Sequence, residues 1–140
     1  MEQSIDLVIN NLQHVGIPVT DIRASAAFYS KLGFSNAMEA SFIHQGEPGT
    51  AIMMKRDSII IEIYQMPEKE LASIRNRPDG HIDHVAFDVP DINLTFEVLK
   101  KAGFNVLEPA PVFLQFWTKG CKYFNITGPD GERLEFNQIL

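Results

Sequence analysis

Two histidines and two glutamates stand at matched places along the 140-residue chain. His14 lies in Leu12-Gln-His-Val-Gly-Ile-Pro-Val-Thr-Asp-Ile22 and His84 in Ile82-Asp-His-Val-Ala-Phe-Asp-Val-Pro-Asp-Ile92, an offset of 70 residues. Glu62 and Glu135 recur at an offset of 73. Imidazole and carboxylate are metal ligands, and two of each without a thiolate suit a divalent ion such as Ni, Co, Mn, Fe or Zn. Taken singly, a histidine on a polar strand face is more often structural or solvent-exposed than a ligand, and a glutamate near a strand end is usually surface. The matched recurrence is what joins His14, Glu62, His84 and Glu135 into one expected site for one divalent metal ion.

These residues must be positioned by a repeated unit, and the repeat continues beyond them: Lys31 falls on Lys101, Gly33 on Gly103 and Phe34 on Phe104. A strand over 12–19 or 82–89 runs into Thr20-Asp21 or Pro90-Asp91, where a helix can be capped. Ile22, Ala26, Phe28, Tyr29 and Leu32 are spaced for one apolar helix face, as are Ile92, Phe96, Leu99 and Ala102. Gly33 and Gly103 then sit where a helix takes a left-handed stop. Three strand-like runs follow in each half: 36–44 (weak), 50–55 and 58–65, then 105–107 (weak), 113–118 or 122–127, and 133–138. The expected fold is α+β, two tandem βαβββ modules over about 9–65 and 82–140 forming curved, mostly antiparallel sheets within a single domain. Residues 66–81 read as a linker with a short helix at 68–75, and Pro129-Asp130-Gly131 as a turn feeding the last strand.

Strand alternation sorts the faces. Val15, Ile17 and Val19 oppose His14, and Ile59, Ile61 and Ile63 oppose Glu62 and Tyr64. Val85, Phe87 and Val89 oppose His84 and Asp88, while Leu134 and Phe136 oppose Arg133, Glu135 and Asn137. The apolar faces are expected under the helices, with one metal ligand on each opposite face. Tyr64 and Asn137 share the ligands' face and are candidate substrate contacts. Gln115, Trp117, Tyr123 and Asn125 are further candidates on strands whose parity the sequence leaves open; Phe116-Trp117 reads first as core. His44 and His81 fall in loop-like sequence, as surface residues, and Lys119-Gly120 reads as a turn.

Charge and composition exclude several classes. The net charge of −6 and pI near 5.1, with no Lys/Arg cluster, argue against a nucleic-acid partner. Cys121 is the sole cysteine, which excludes an internal disulfide and a Cys-rich zinc site and fits a reducing cytoplasm. Met1 to Asn10 lacks the pattern of a secretory leader, and no apolar run is long enough to cross a bilayer. A cytoplasmic protein without a membrane partner is therefore expected.

Three motifs carry a family resemblance: His14-Val-Gly-Ile-Pro-Val-Thr-Asp-Ile with the later Phe28-Tyr29 and Leu32-Gly33-Phe34; Ile82-Asp-His84-Val-Ala-Phe; and Gly128-Pro-Asp-Gly-Glu-Arg-Leu-Glu135-Phe. Together they resemble the vicinal oxygen chelate superfamily, which includes glyoxalase I, methylmalonyl-CoA epimerase, extradiol dioxygenases and bleomycin- and fosfomycin-resistance proteins. The resemblance runs from Leu12 to Asn137, with Gly128 in place of the usual first Asp of the last motif. Extradiol dioxygenases use two His and one Glu, methylmalonyl-CoA epimerase typically has Gln where Glu62 stands, and bleomycin-binding relatives usually lack the ligands. The order His, Glu, His, Glu is similar to bacterial glyoxalase I. It implies a lyase or isomerase that converts a small-molecule substrate, a hemithioacetal or related α-hydroxycarbonyl, through an enediolate. Glu135 or Glu62 would be the catalytic base, Glu135 ahead by analogy, in a homodimer. Pro18 and Met66 stand where bacterial glyoxalase I places an Arg and an Asn on glutathione, so the resemblance does not extend to that thiol. The alternatives are a methylmalonyl-CoA epimerase-like enzyme and a non-catalytic protein that binds a small drug-like molecule.

Overall fold

The structure is a computed structural model describing residues 3–77, 82–127 and 133–140. His81, Gly128 and the expected turn Pro129-Asp130-Gly131 lie outside the described residues. The chain divides into two compact units, one built on residues 14–83 and the other on residues 3–13 together with the chain from His84 onward.

The unit built on residues 14–83 takes most of β1 (Asn11–Pro18), then α1 (Ile22–Lys31), β2 (Ser35–His44), β3 (Glu47–Arg56), β4 (Ile59–Gln65) and α2 (Leu71–Arg75). Its strands lie in the order β2-β3-β4-β1, antiparallel except for the parallel pair β1–β4. The other unit takes β5 (His84–Asp88), α3 (Ile92–Lys101), β6 (Val112–Leu114), β7 (Cys121–Thr127) and β8 (Arg133–Ile139). Its order is β5-β8-β7-β6, with β5–β8 parallel and the rest antiparallel. The fold is thus the expected α+β repeat of βαβββ units with mostly antiparallel pairing.

Both long helices start and stop by the same chemistry. Asp21 caps α1 by accepting from the amides of Arg23 and Ala24, and Asp91 caps α3 by accepting from Leu94. At the other end, the amide of Gly33 donates to Ser30 and that of Phe34 to Tyr29, while Gly103 donates to Lys100 and Phe104 to Leu99. This pair of bonds needs a left-handed residue after the helix, and Gly33 and Gly103 supply it with φ of 87° and 88°.

Several local expectations change. The weak run 36–44 is a full ten-residue strand, because Gln45 (φ 50°) and Gly46 (φ 81°) form a tight left-handed hairpin turn into β3. His44 is accordingly a strand end beside Glu70, with Nε2 3.7 Å from Oε1, and not a loop residue. In the second half, 105–107 makes only the isolated bridge Val106–Ile126, whereas both alternatives, 113–118 and 122–127, contain strands, the former shortened to Val112–Leu114. The apolar stripe of α1 is narrower than its spacing suggests, since Phe28 (58%) and Leu32 (49%) are exposed and Ile22, Ala26 and Tyr29 face the sheet; Ala102 is likewise exposed. Residues 3–13 join the second half: Leu7 packs on its core and the Asn10 amide donates to the Asp88 carbonyl at 2.8 Å. In the linker, a 3-10 turn at Glu68–Glu70 leads into α2, anchored by buried Leu71.

Each unit has its own core. Ile22, Ile52, Met54 and Ile63 form one. The other gathers Val89, Ile92, Phe96, Leu99, Phe124, Ile126 and Phe136, with Phe124 stacked on Phe136 at 5.4 Å between ring centres and edge-on to Phe96 at 5.1 Å. Among the described residues no helix is long and apolar enough to cross a membrane. Phe124→Ala is expected to destabilise by about 3–5 kcal/mol, and Phe28→Ala by about 1 kcal/mol or less. Urea denaturation with unchanged m-values would measure both, and equal losses would contradict this account of the core.

Candidate functional site

The register of the two parallel pairs places the chemistry. In β1–β4, Gly16 lies opposite Glu62; in β5–β8, Ala86 lies opposite Glu135. In both units the residue two after the histidine faces the glutamate, so strand parity puts His14 on the face of Glu62 and His84 on the face of Glu135. Both intervening residues are small and buried, which leaves room beside the carboxylate for the imidazole. The unit built on residues 14–83 sets His14 Nε2 3.9 Å from Glu62 Oε1. The other unit sets His84 Nε2 3.6 Å from Glu135 Oε1.

These separations exceed hydrogen-bond reach, so each pair is aligned side by side rather than bonded to itself. His14, His84 and Glu135 are buried, and Glu62 is nearly so. A divalent cation matches this donor set: nitrogen and carboxylate oxygen on one face, with no thiolate competing. Each unit thus offers one His–Glu donor pair, His14 with Glu62 and His84 with Glu135.

Glu135 sits among oriented amides. The β7–β8 register places Asn125 opposite Glu135 and Tyr123 opposite Asn137, which settles the parity of Tyr123 and Asn125: both lie on the Glu135 face. Asn137 donates through Nδ2 to Glu135 Oε2 at 3.0 Å. Its own Oδ1 accepts from Gln13 Nε2 at 3.1 Å, and Gln13 also donates to Asp88 Oδ1 at 2.9 Å. Because Gln13 fixes which end of the Asn137 amide is which, the NH2 group is turned onto the carboxylate. Asn125 is held from another side: its backbone N–H and Nδ2 donate to the two oxygens of Glu108 at 2.5 and 3.0 Å.

Glu62 has different neighbours. Its register partner on β3 is Met53, and that of Tyr64 is Ala51, both about 1% exposed. Tyr64 shares the Glu62 face as expected and packs edge-on against Phe42 at 6.4 Å.

Trp117 lies outside the paired strands. Strand pairing ends at Leu114, so parity does not carry Trp117 or Gln115 onto the Glu135 face. Trp117 takes φ of 66° and lines a cavity of about 390 Å³ with Phe113, Gln115, Thr118, Lys119 and Gly120. Phe116 is core, as read.

Gln13 and Glu108 are supports that the motifs did not single out. A third device is carried by the repeat: Glu62-Ile-Tyr-Gln65 matches Glu135-Phe-Asn-Gln138. Gln65 Oε1 accepts from the Ile22 amide at 2.9 Å, and Gln138 Oε1 accepts from the Ile92 amide at 3.0 Å. The strand that carries each glutamate thus also caps the helix of its own unit.

Comparison with known proteins agrees with this architecture. The chain is 29% identical over 129 residues to the uncharacterized protein YwbC of Bacillus subtilis (strain 168), covering 91% of this chain and 96% of that one. The structure of methylmalonyl-CoA epimerase from Mycobacterium tuberculosis superposes with a TM-score of 0.77 at 17% identity, over 99% of this chain and 93% of that one. A variant of 4-hydroxymandelate synthase from Streptomyces coelicolor superposes with a TM-score of 0.71 at 14% identity, over 93% of this chain and 48% of that one. At these identities the structural likenesses establish the fold. The family description matches residues 11–136, and the chain belongs to the Glyoxalase/Bleomycin resistance protein/Dioxygenase superfamily, with the vicinal oxygen chelate fold.

Proposed function

We propose that the chain is a metal-dependent enzyme that removes and returns a proton at a carbon next to a carbonyl, with His14, Glu62, His84 and Glu135 holding one divalent ion. The observation that carries this reading is the recurrence of a buried His–Glu pair at the same register position in both units. When bound, the metal supplies electrostatic stabilisation for negative charge on the carbonyl oxygen. Glu135 is the base of choice. Its Oε2 is steadied by Asn137 while Oε1 lies toward His84, so the carboxylate keeps one orientation as it takes the proton and gives it back.

Two substrate classes are compatible with that chemistry. An acyl thioester epimerised at its α-carbon is supported by the likeness to methylmalonyl-CoA epimerase and by Pro18 and Met66, which replace glutathione contacts of bacterial glyoxalase I. A hemithioacetal isomerised by a glyoxalase-type lyase is supported by Glu62, a carboxylate where the epimerases typically carry an amide. A homodimer in a reducing cytoplasm completes the reading, by the family resemblance and the single buried thiol of Cys121.

Purified full-length protein is expected to carry one equivalent of a divalent transition metal by elemental analysis. His14→Ala and His84→Ala should each weaken metal affinity at least about tenfold. A wild-type protein that binds no metal would leave the drug-binding alternative standing instead.

Glu135→Gln keeps an oxygen donor and loses the base. It should lower turnover by about 10²–10⁴, read as deuterium incorporation at the α-carbon of methylmalonyl-CoA or as product from methylglyoxal with a panel of cellular thiols. Wild-type protein inert in both assays while metal-loaded would contradict the proton-transfer reading, and activity in one of them selects the substrate class.

A further inference from the structure

Glu135 has a second amide neighbour whose use the proton transfer above does not explain. Asn125 is 6% exposed and stands directly opposite Glu135 in the β7–β8 register. Its NH2 group and backbone N–H are both committed to Glu108. The orientation is dictated by chemistry: a carboxylate is an acceptor, so the amide must present nitrogen to Glu108 and turn its oxygen the other way. That oxygen, Oδ1, is buried and has no hydrogen-bond partner. Native proteins seldom leave such an acceptor unsatisfied, and an exception requires a reason.

Glu108 supplies part of the reason. Residues 105–111 form no strand beyond the Val106–Ile126 bridge. Even so, the Leu107 amide donates to the Asn125 carbonyl at 2.9 Å, which brings Glu108 within reach of the Asn125 side chain. The two fixed amides flanking Glu135 are therefore complementary. Asn137 turns a donor onto the carboxylate, and Asn125 holds an acceptor in reserve on the same sheet face.

We propose that the Glu108–Asn125 pair presents a fixed hydrogen-bond acceptor beside Glu135, and that the ligand bound there offers it an O–H or N–H donor. The inference rests on the proton-transfer reading for the presence of a metal-bound ligand at Glu135, and it narrows the substrate class. A hydroxyl or amide N–H near the reacting carbon satisfies Asn125 Oδ1, whereas a carboxylate turned toward it sets acceptor against acceptor. Asn125 is then a specificity-determining residue, and Glu108 a positioning residue that acts through it. Holding the acceptor in place before binding avoids the cost of ordering it afterwards.

The test uses full-length protein loaded with cobalt(II) and two bidentate oxygen chelators that differ by one donor, acetohydroxamate (N–H) and N-methylacetohydroxamate (N–CH3). Affinities are read from the visible cobalt spectrum, and their ratio is corrected by that for free cobalt(II). Wild type should favour acetohydroxamate by about tenfold, the equivalent of roughly 1.4 kcal/mol. Asn125→Leu should bring the ratio to within about twofold of unity while cobalt content is retained, an effect confined to the lost acceptor. Glu108→Gln, which still offers an acceptor to Asn125 Nδ2, should keep most of the preference, and Glu108→Ala should lose it. If Asn125→Leu does not fold, Glu108→Ala carries the same expectation. An unchanged ratio in the folded Asn125→Leu or Glu108→Ala protein overturns the inference and leaves the metal site intact. Failure of both hydroxamates to perturb the cobalt spectrum overturns the metal reading and this inference with it.

Discussion

The parallel pairing of the first and last strands of each repeat is the constraint on which the rest depends. It sets Gly16 against Glu62 and Ala86 against Glu135, and through them it sets each histidine on the face of its glutamate. A slip of one residue would send the glutamate to the helix side and an isoleucine or phenylalanine to the ligand side. The fold guards against this from outside the sheet. Gln65 and Gln138, three residues beyond each glutamate, bond to the first amide of the helix that crosses over the same unit. The backbone adds Val19 to Tyr64 and Val89 to Asn137, bonds that continue the parallel ladder past the strand end. Register, helix capping and ligand placement are thus three consequences of one strand being seated correctly.

On this common frame the two halves have diverged. Glu62 is bordered by Met53, with Ala51 and the Tyr64–Phe42 ring pair further along, and lies beside His14. Glu135 is bordered by Asn137, Asn125 and, through Asn137, by Gln13 and Asp88. An amide network dictates a carboxylate's orientation by direction. A base must keep its geometry through a proton transfer, which is why Glu135, steadied by Asn137, is the carboxylate proposed for that work. The repeat supplied two equivalent carboxylates, and their register neighbours now differ.

Much of this was legible in the chain. The constant offset revealed the repeat, and period-two alternation assigned His14, Glu62, His84 and Glu135 to the strand faces they occupy. Asp21, Asp91, Gly33 and Gly103 announced the helix ends because capping is a local matter of one side chain or one φ angle. What escaped was non-local or pattern-poor. The run 36–44 looked weak because its alternation is broken by a register shift between Asn36 and Met38. Phe28 and Leu32 suited a helix stripe whose width only the sheet beneath could limit. Glu108 sits in irregular chain, where no periodicity points a side chain anywhere, and the contribution of Gln13 to the other half of the repeat depends on where β1 begins. Gln65 and Gln138 were a different kind of omission, since their matched spacing from the glutamates was present in the sequence all along.

The fold by itself does not choose the reaction. A methylmalonyl-CoA epimerase and a 4-hydroxymandelate synthase variant superpose on this chain almost equally well, so architecture is shared by proteins named for different chemistries. Selection must come from the side chains around the ligand face. Pro18 and Met66 stand where the resemblance to bacterial glyoxalase I would place an Arg and an Asn. The remaining discrimination falls to groups outside the two His–Glu pairs. An acceptor held by Glu108 can reject a ligand simply by having nothing to receive from it, because a buried oxygen left unsatisfied is a penalty the wrong ligand incurs and the right one removes. Specificity on a scaffold of this kind therefore resides less in the repeated residues that define the family than in the unrepeated amides and carboxylates set around one half of the repeat.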